Sequence, residues 1–94
     1  MKKKIPSSCP SCNSQLQVKI LHCNTCGTTV DGLFSLPSIA ILSPEDQDFI
    51  IEFVIRSGSL KEMANHLKLS YPTVRNMLDD IINKLKSLHN ENNN

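Results

Sequence analysis

The sequence predicts a small α+β protein, with a short β-rich module at its amino end and an all-α unit after it. Three observations lead to this prediction. Four cysteines occur as two close pairs within the first 26 residues, and apolar and polar residues alternate between those pairs. Three serines further along each precede a run of residues with helical spacing. With 94 residues and 4% aromatic content, the amino-terminal module cannot depend on a large apolar core and needs another source of stability.

The two cysteine pairs form the most specific motif in the chain. They read Cys-Pro-Ser-Cys at 9–12 and Cys-Asn-Thr-Cys at 23–26, with ten residues between them. Two residues between cysteines allow both sulfurs to face one ion, and two such pairs complete the closed tetrahedral shell of structural zinc. Asn13 and Gly27 follow the pairs, and both residue types tolerate the left-handed backbone that such turns require. The expected ligands of one structural Zn²⁺ are Cys9, Cys12, Cys23 and Cys26.

Other uses of these cysteines are less favoured. A reducing compartment disfavours disulfides, and two matched pairs do not resemble a redox dithiol site. Iron on four thiolates stays open, since a sulfur shell alone does not distinguish it from zinc. His22 adjoins the second pair, but four thiolates already fill the shell. A catalytic zinc would need an open position, so the site is expected to be structural.

Residues 1–34 are predicted to form a three-stranded zinc ribbon. Leu16, Val18 and Ile20 alternate with polar residues, which is the period of a half-buried strand. The β-prone residues 28–30 follow the second pair, and Gly32 indicates a bulge or bend. The connector, residues 35–42, contains four apolar residues and is expected to pack between the two modules.

Residues 43–89 are predicted to form a trihelical helix-turn-helix domain with a long last helix. Ser43 precedes a proline and an acidic first turn, Ser59 begins a capping box directly after Gly58, and Ser70 is the third expected N-cap. Six apolar residues have the spacing typical of a helix-turn-helix, and they are Met63, Ala64, Leu67, Leu69, Val74 and Met77. The turn between its helices most often carries glycine, whereas this chain has Lys68 there.

The start of the last helix is the predicted DNA-reading segment. In DNA-binding helix-turn-helix proteins this end of the second helix enters the major groove. Arg75 is suited to guanine and Asn76 to adenine, while Lys68 and nearby hydroxyl groups suit phosphates. The complete set of candidate DNA-binding residues is Lys68, Ser70, Tyr71, Thr73, Arg75 and Asn76.

The charge distribution argues against DNA binding. Residues 1–42 carry four lysines and one aspartate, a net charge of +3, whereas residues 43–94 carry six basic and eight acidic residues, a net charge of −2. Phosphate neutralisation supplies most non-specific affinity, and Asp79 and Asp80 follow the recognition segment directly. A protein-interaction adaptor or dimerisation module that does not read DNA is therefore the alternative function.

Surplus apolar residues predict a homodimer. The first long helix is apolar around most of its circumference and must be covered on several sides. The last helix carries an apolar seam that extends to Leu85 and Leu88, beyond what a short trihelical unit covers. The alternative is that this seam lies against the first helix and the connector.

Together these segments resemble a bacterial family catalogued as domain of unknown function 2089. The most specific segments are 9–12, 23–27, 58–64 and 70–76. The helical half is also similar to the DNA-reading module of sigma factors and response regulators. The resemblance implies a bacterial cytoplasmic protein that regulates transcription, with double-stranded DNA and a protein of the transcription machinery as partners. It supplies no catalytic residues.

Several classes of function are not expected. The chain has no Ser/His/Asp set and no glycine-rich phosphate loop, and its histidines at 22, 66 and 89 are isolated, so we expect neither an enzyme nor a small-molecule substrate. No stretch has the length of a membrane span, and no secretory signal is recognised. Residues 90–94 are rich in asparagine and are expected to be disordered.

Overall fold

The computed structural model describes residues 5–92. The chain divides into two compact units, Met1–Ile41 and Leu42–Asn94. The first contains strands β1 (Val18–His22) and β2 (Thr29–Phe34) and the short helix α1 (Ser38–Ile41). The second contains helices α2 (Pro44–Ile55), α3 (Leu60–Leu67) and α4 (Tyr71–Asn92). A β module followed by helices is the small α+β organisation that the sequence predicts.

The two strands form an antiparallel hairpin with one irregularity. Residue pairs run from His22 opposite Thr29 to Ile20 opposite Asp31, and then shift so that Val18 lies opposite Phe34. The extra residue on β2 falls at 32–33, so the bulge expected at Gly32 is confirmed. A Cβ atom on Gly32 would lie 2.7 Å from the Phe34 ring, which explains why the bulge carries a glycine.

The described residues contain a two-stranded sheet, where three strands were predicted. The β-prone segments on both sides of Gly32 belong to the single strand β2, and one isolated bridge joins Ser8 and Gln15 outside the sheet. Around this bridge, the Cys9 amide donates to the Ser14 carbonyl and the Leu16 amide donates to the Ser7 carbonyl. Prolines at 6 and 10 have no amide hydrogen to continue the ladder, which keeps this pairing short.

The three predicted N-caps of the helical unit are confirmed. The Ser43 hydroxyl accepts from the Asp46 amide, Ser59 from the Glu62 amide, and Ser70 from the Thr73 amide. Each bond satisfies an amide that has no partner within its own helix, so the serines set where the helices begin.

Left-handed residues end the first two of these helices. Ser57 and Gly58 have φ +57° and +74°, and their amides donate to the Val54 and Phe53 carbonyls, so the left-handed turn that ends α2 starts one residue before the predicted Gly58. Lys68 has φ +59° and its amide donates to the Ala64 carbonyl, which ends α3. The turn therefore requires the backbone conformation that glycine adopts freely, and Lys68 adopts it as a non-glycine residue.

The apolar core of the helical unit is contributed by all three of its helices. Met63 and Val74 are completely buried, at the point where α3 and α4 cross. The buried cluster comprises Leu42, Phe49, Met63, Ala64, Val74 and Ile81. Because the small side chain of Ala64 belongs to it, the two helices of the helix-turn-helix can approach closely, as the sequence pattern indicates.

The far end of helix α4 bears on two predictions. Leu85 and Leu88 are half-buried and pack against the core cluster of their own unit, and the homodimer stays a prediction. The helix continues through Asn92, and the disordered tail at 90–94 also stays a prediction. Residues 93 and 94 lie outside the described part of the chain.

Helix α2 keeps an uncovered apolar face. Ile51, Val54 and Ile55 are 55%, 67% and 67% exposed, whereas Ile50 and Phe53 pack against the core. The prediction that this helix is apolar around most of its surface is therefore confirmed. Within residues 5–92, no helix combines the length and the apolar content needed to cross a membrane.

Candidate metal centre and nucleic-acid interface

The two cysteine pairs lie on turns that share one hydrogen-bonding pattern. In the first, the amide of Asn13 donates to the carbonyl of Cys9 at 2.8 Å. In the second, the amide of Gly27 donates to the carbonyl of Cys23, also at 2.8 Å. Asn13 and Gly27 have φ +65° and +79°, so both adopt the left-handed conformation predicted for them. Two turns of equal geometry each place a pair of thiols side by side.

A hydroxyl group accompanies the second thiol of each pair. Cys12 Sγ lies 3.3 Å from Ser14 Oγ, and Cys26 Sγ lies 3.0 Å from Thr28 Oγ1. These hydrogen bonds are the main reason that the pKa of each thiol is lowered, with smaller contributions from the neighbouring backbone and the other cysteine of the pair. A thiol that ionises more easily is a better metal ligand, since the thiolate is the species that binds.

The structure brings the cysteines together as pairs. Among residues 5–92, no three Cys, His, Asp or Glu side chains converge closely enough to define a metal position by distance alone. All four cysteines are free thiols, and the donor set of four sulfurs on two matched turns fits a structural zinc ion. His22 lies on β1 with its side chain exposed.

The candidate DNA-binding residues form an exposed surface at the start of α4. Lys68 lies in the turn before it, and Ser70, Tyr71, Thr73, Arg75 and Asn76 are all exposed, whereas Val74 between them is buried. Two hydroxyls of this surface are linked, with Ser70 Oγ 2.7 Å from Thr73 Oγ1. These side chains are therefore all exposed, as the helix-turn-helix pattern predicts.

Carboxylates form ion pairs with three of the described cations in the helical unit, the first of them being Arg56, which pairs with Glu52. Arg75 Nε lies 3.4 Å from Asp79 Oδ1, one helical turn along α4. Lys84 Nζ lies 2.8 Å from Asp46 Oδ2, and that contact is the main reason that the pKa of Lys84 is raised. Of the lysines described in this unit, Lys84 makes an ion pair with another described residue, whereas Lys61, Lys68 and Lys86 do not. Asp79 therefore offsets part of the positive charge that Arg75 would present to a phosphate.

Sequence reasoning missed three features of these sites. Ser14 and Thr28 each follow the second cysteine of a pair by two residues, and this equal offset was the available signal. The ion pair between Arg75 and Asp79 has the four-residue spacing of a helical pair and was predictable. The third feature is a cavity lined by α2, α3 and α4, which required the packing of the helices to be known.

Comparison with family models covers most of the chain. The model described as "DUF2089 zinc ribbon" matches residues 9–40, and the model described as "Domain of unknown function (DUF2089)-HTH" matches residues 42–88. A zinc ribbon followed by a helix-turn-helix is typical of nucleic-acid-binding regulators that are not enzymes. Curated proteins and solved structures give no significant match, and the similarity to sigma factors is not shown by these comparisons.

Proposed function

This chain belongs to the DUF2089 family, and we propose that it is a DNA-binding regulator of bacterial transcription that acts in the cytoplasm. One structural Zn²⁺ holds the ribbon through Cys9, Cys12, Cys23 and Cys26. The observation that carries the proposal is the exposed surface at the start of α4, where residues 70–76 present hydroxyl, amide and guanidinium groups around a buried Val74. Those groups are the ones that read base edges and phosphates in a major groove.

The division of roles within this surface follows from its chemistry. Arg75 and Asn76 are the base-reading candidates, since guanidinium and carboxamide groups form paired hydrogen bonds with guanine and adenine. Ser70, Tyr71 and Thr73 stand at the helix start, where their hydroxyls suit a phosphate. Lys68, in the preceding turn, supplies a positive charge with no competing carboxylate among the described residues.

The proposal is tested by fluorescence anisotropy on genomic DNA fragments across a salt series. Arg75→Ala with Asn76→Ala is expected to weaken binding by about tenfold or more, because both base contacts are lost. The charge-matched control is Lys86→Ala with Asn83→Ala, which removes one cation and one asparagine from an exposed part of the same helix. The control is expected to retain affinity within about twofold.

A third variant is expected to strengthen DNA binding, where the first one weakens it. Asp79→Asn releases Arg75 and removes a carboxylate near the phosphates, so affinity is expected to rise by a few-fold and the salt dependence to steepen. Absence of salt-dependent binding in the native chain would sink the DNA-reading proposal. If neither the Arg75 and Asn76 change nor the Asp79 change altered the affinity, residues 70–76 would not be the DNA-binding surface.

The second candidate is an interaction adaptor that contacts a protein of the transcription machinery without reading DNA. Two observations favour it, the ion pair that occupies Arg75 and the exposed apolar face of α2 at Ile51, Val54 and Ile55. An apolar face of this kind marks a protein contact more often than a nucleic-acid contact. The anisotropy series separates the two functions, since an adaptor shows no specific DNA binding.

The proposed homodimer is supported chiefly by the exposed apolar face of α2, because Leu85 and Leu88 of the α4 seam are already half-buried within their own unit. Light scattering at micromolar concentration is expected to give twice the chain mass. Val54→Glu places a charge in the uncovered face and is expected to return the mass to that of one chain. Leu33→Glu, at an equally exposed apolar position on β2, is the control and should leave the mass unchanged. A single-chain mass for the native protein would refute the dimer.

A further inference from the structure

The residue two positions after the second cysteine of each pair carries a hydroxyl that contacts the sulfur of that cysteine. Ser14 Oγ lies 3.3 Å from Cys12 Sγ, and Thr28 Oγ1 lies 3.0 Å from Cys26 Sγ. The backbone of the same two residues forms a second hydrogen bond with each sulfur. The two turns therefore match in the offset of the residue, in the kind of donor and in the sulfur that is contacted.

The direction of these hydrogen bonds is fixed once the cysteine is a metal ligand. A thiolate has no proton to give, so the hydroxyl of Ser14 or Thr28 must be the donor. A hydrogen bond to a charged acceptor is stronger than one between neutral groups. Each hydroxyl is therefore placed to hold one ligand sulfur in position and to disperse part of its charge.

The charge of the expected metal centre needs such donors. Four thiolates around one Zn²⁺ leave a formal charge of about −2. Among the described residues of the first unit, the one lysine is Lys19, and it already pairs with Asp31 at 3.3 Å. The Ser11 amide, 3.4 Å from Cys9 Sγ, adds a further neutral donor. In this part of the chain, hydrogen bonds from neutral groups are the available means of stabilising the thiolates.

We propose that Ser14 and Thr28 are positioning residues of the metal centre, which orient the Cys12 and Cys26 thiolates and raise the affinity of the ribbon for Zn²⁺. The inference rests on the proposed zinc site and extends it from the four ligands to the groups around them. Loss of a hydrogen bond to a ligand typically lowers metal affinity by about 10–100-fold. Both hydroxyls are exposed to water, which competes for them, so the lower end of this range applies.

The test measures the zinc affinity of the full chain by competition with a colorimetric chelator of known affinity. Thr28→Val keeps the shape of the side chain and removes the hydroxyl, and it is expected to weaken zinc binding by about tenfold. Thr28→Ser removes the methyl group and keeps the hydroxyl, and it is expected to retain affinity within about twofold. A purely structural role of this side chain predicts the reverse order, because packing follows shape.

Two matched controls remove the same groups from neighbouring positions. Thr29→Val, at the next exposed residue, is expected to change zinc affinity by less than about twofold. Ser14→Ala is expected to weaken binding by about fivefold, less than the change at Thr28 because its contact with sulfur is longer. Ser11→Ala is the control for it, since Ser11 contacts Cys9 through its backbone amide, which the substitution retains. NMR spectra of the zinc-saturated variants establish that each hairpin folds.

The outcomes separate this inference from the zinc site on which it rests. If the native chain binds no zinc, the metal centre is refuted and the inference fails with it. If the native chain binds zinc and Thr28→Val binds it equally well, the metal centre stands and the positioning role is refuted. The role is also refuted if Thr28→Ser or Thr29→Val loses as much affinity as Thr28→Val, because the effect would then not follow the hydroxyl beside Cys26.

Discussion

The two units of this chain are stabilised in different ways. In the helical unit, six buried side chains form one cluster, to which the residue before α2 and all three helices contribute. Each of these helices begins at a serine N-cap. In the β unit, every residue from 20 to 31 is exposed, including Ile20, Leu21 and Val30. One unit has a core that excludes water, and the other has hydrogen-bonded turns and four cysteines that form no disulfide. The comparison teaches that a helical segment of about fifty residues can depend on its own packing, whereas a hairpin of this size cannot.

The largest expected difference between the units is their response to metal removal. We expect one zinc per chain by mass spectrometry, and a strong chelator to abolish the dispersed amide signals of residues 9–34 while those of α2–α4 persist. The reason is that structural zinc supplies about 10–16 kcal/mol of apparent binding free energy in small domains, which here is folding energy for the hairpin. Cys23→Ser with Cys26→Ser is expected to have the same effect.

The zinc proposal has a clear counter-result. It fails if the native chain holds no zinc, or if the hairpin signals survive full chelation unchanged. Iron in place of zinc would be recognised from the metal analysis, and would keep the ligand set while changing the ion.

The second-largest effect is expected from a change in the helical core, which should destabilise the helical unit and leave the zinc site intact. Met63→Ala removes a completely buried side chain and is expected to destabilise the helical unit by about 2–5 kcal/mol, measured by urea denaturation followed at 222 nm. Zinc content should remain unchanged. Asn65→Ala, at an exposed position on the same helix, is the control with an expected change below about 0.5 kcal/mol. Equal effects of the two changes would contradict the assigned core.

A smaller effect is expected at the start of α3. Ser59→Ala removes the hydroxyl that accepts from the Glu62 amide and should cost about 1 kcal/mol of helical-unit stability. Ser87→Ala, on an exposed part of α4, provides the comparison and should cost close to nothing. Thermal melts of the two variants measure the difference, and a loss at Ser87 matching that at Ser59 would speak against the cap.

The smallest effect concerns the ion pair between Lys84 and Asp46, and it is visible through pH. Because this contact raises the pKa of Lys84 in the folded state, its stabilisation is present below the ordinary value of 10.5 and is lost as pH rises through the raised pKa. The stability difference between the native chain and Lys84→Met should therefore be constant near neutral pH and shrink in strong alkali. Lys86→Met is the matched control. If its pH profile were identical, the pH dependence could not be assigned to the ion pair between Lys84 and Asp46.

Local sequence signals predicted much of this molecule. Serine caps at 43, 59 and 70, left-handed backbone at Asn13 and Gly27, and a bulge at Gly32 follow from chemistry within a few residues. Such features depend on hydrogen bonds and backbone sterics that act over one turn. They are therefore readable before any tertiary structure is known.

The features that were not predicted depend on contacts between residues far apart in the sequence, or on ion pairs between neighbouring side chains. Three strands were predicted, but the segments on both sides of Gly32 form the single strand β2. For the α4 seam, the sequence left two interpretations open, and Leu85 and Leu88 pack against the core of their own unit. For the candidate DNA surface, exposure was predicted correctly and Asp79 was noted as a nearby negative charge, but its ion pair with Arg75 was not predicted.

The bulge at Gly32 couples two positions that are usually treated as independent. The Phe34 ring covers the space where any larger side chain at position 32 would begin, so the two residues share one volume. In evolutionary terms they should change together. Relatives with alanine or a larger residue at 32 are expected to carry a smaller side chain at 34, whereas those that keep glycine retain freedom to place an aromatic ring there. Covariation between these two sites in a family alignment would therefore report the shape of the hairpin without any structure determination.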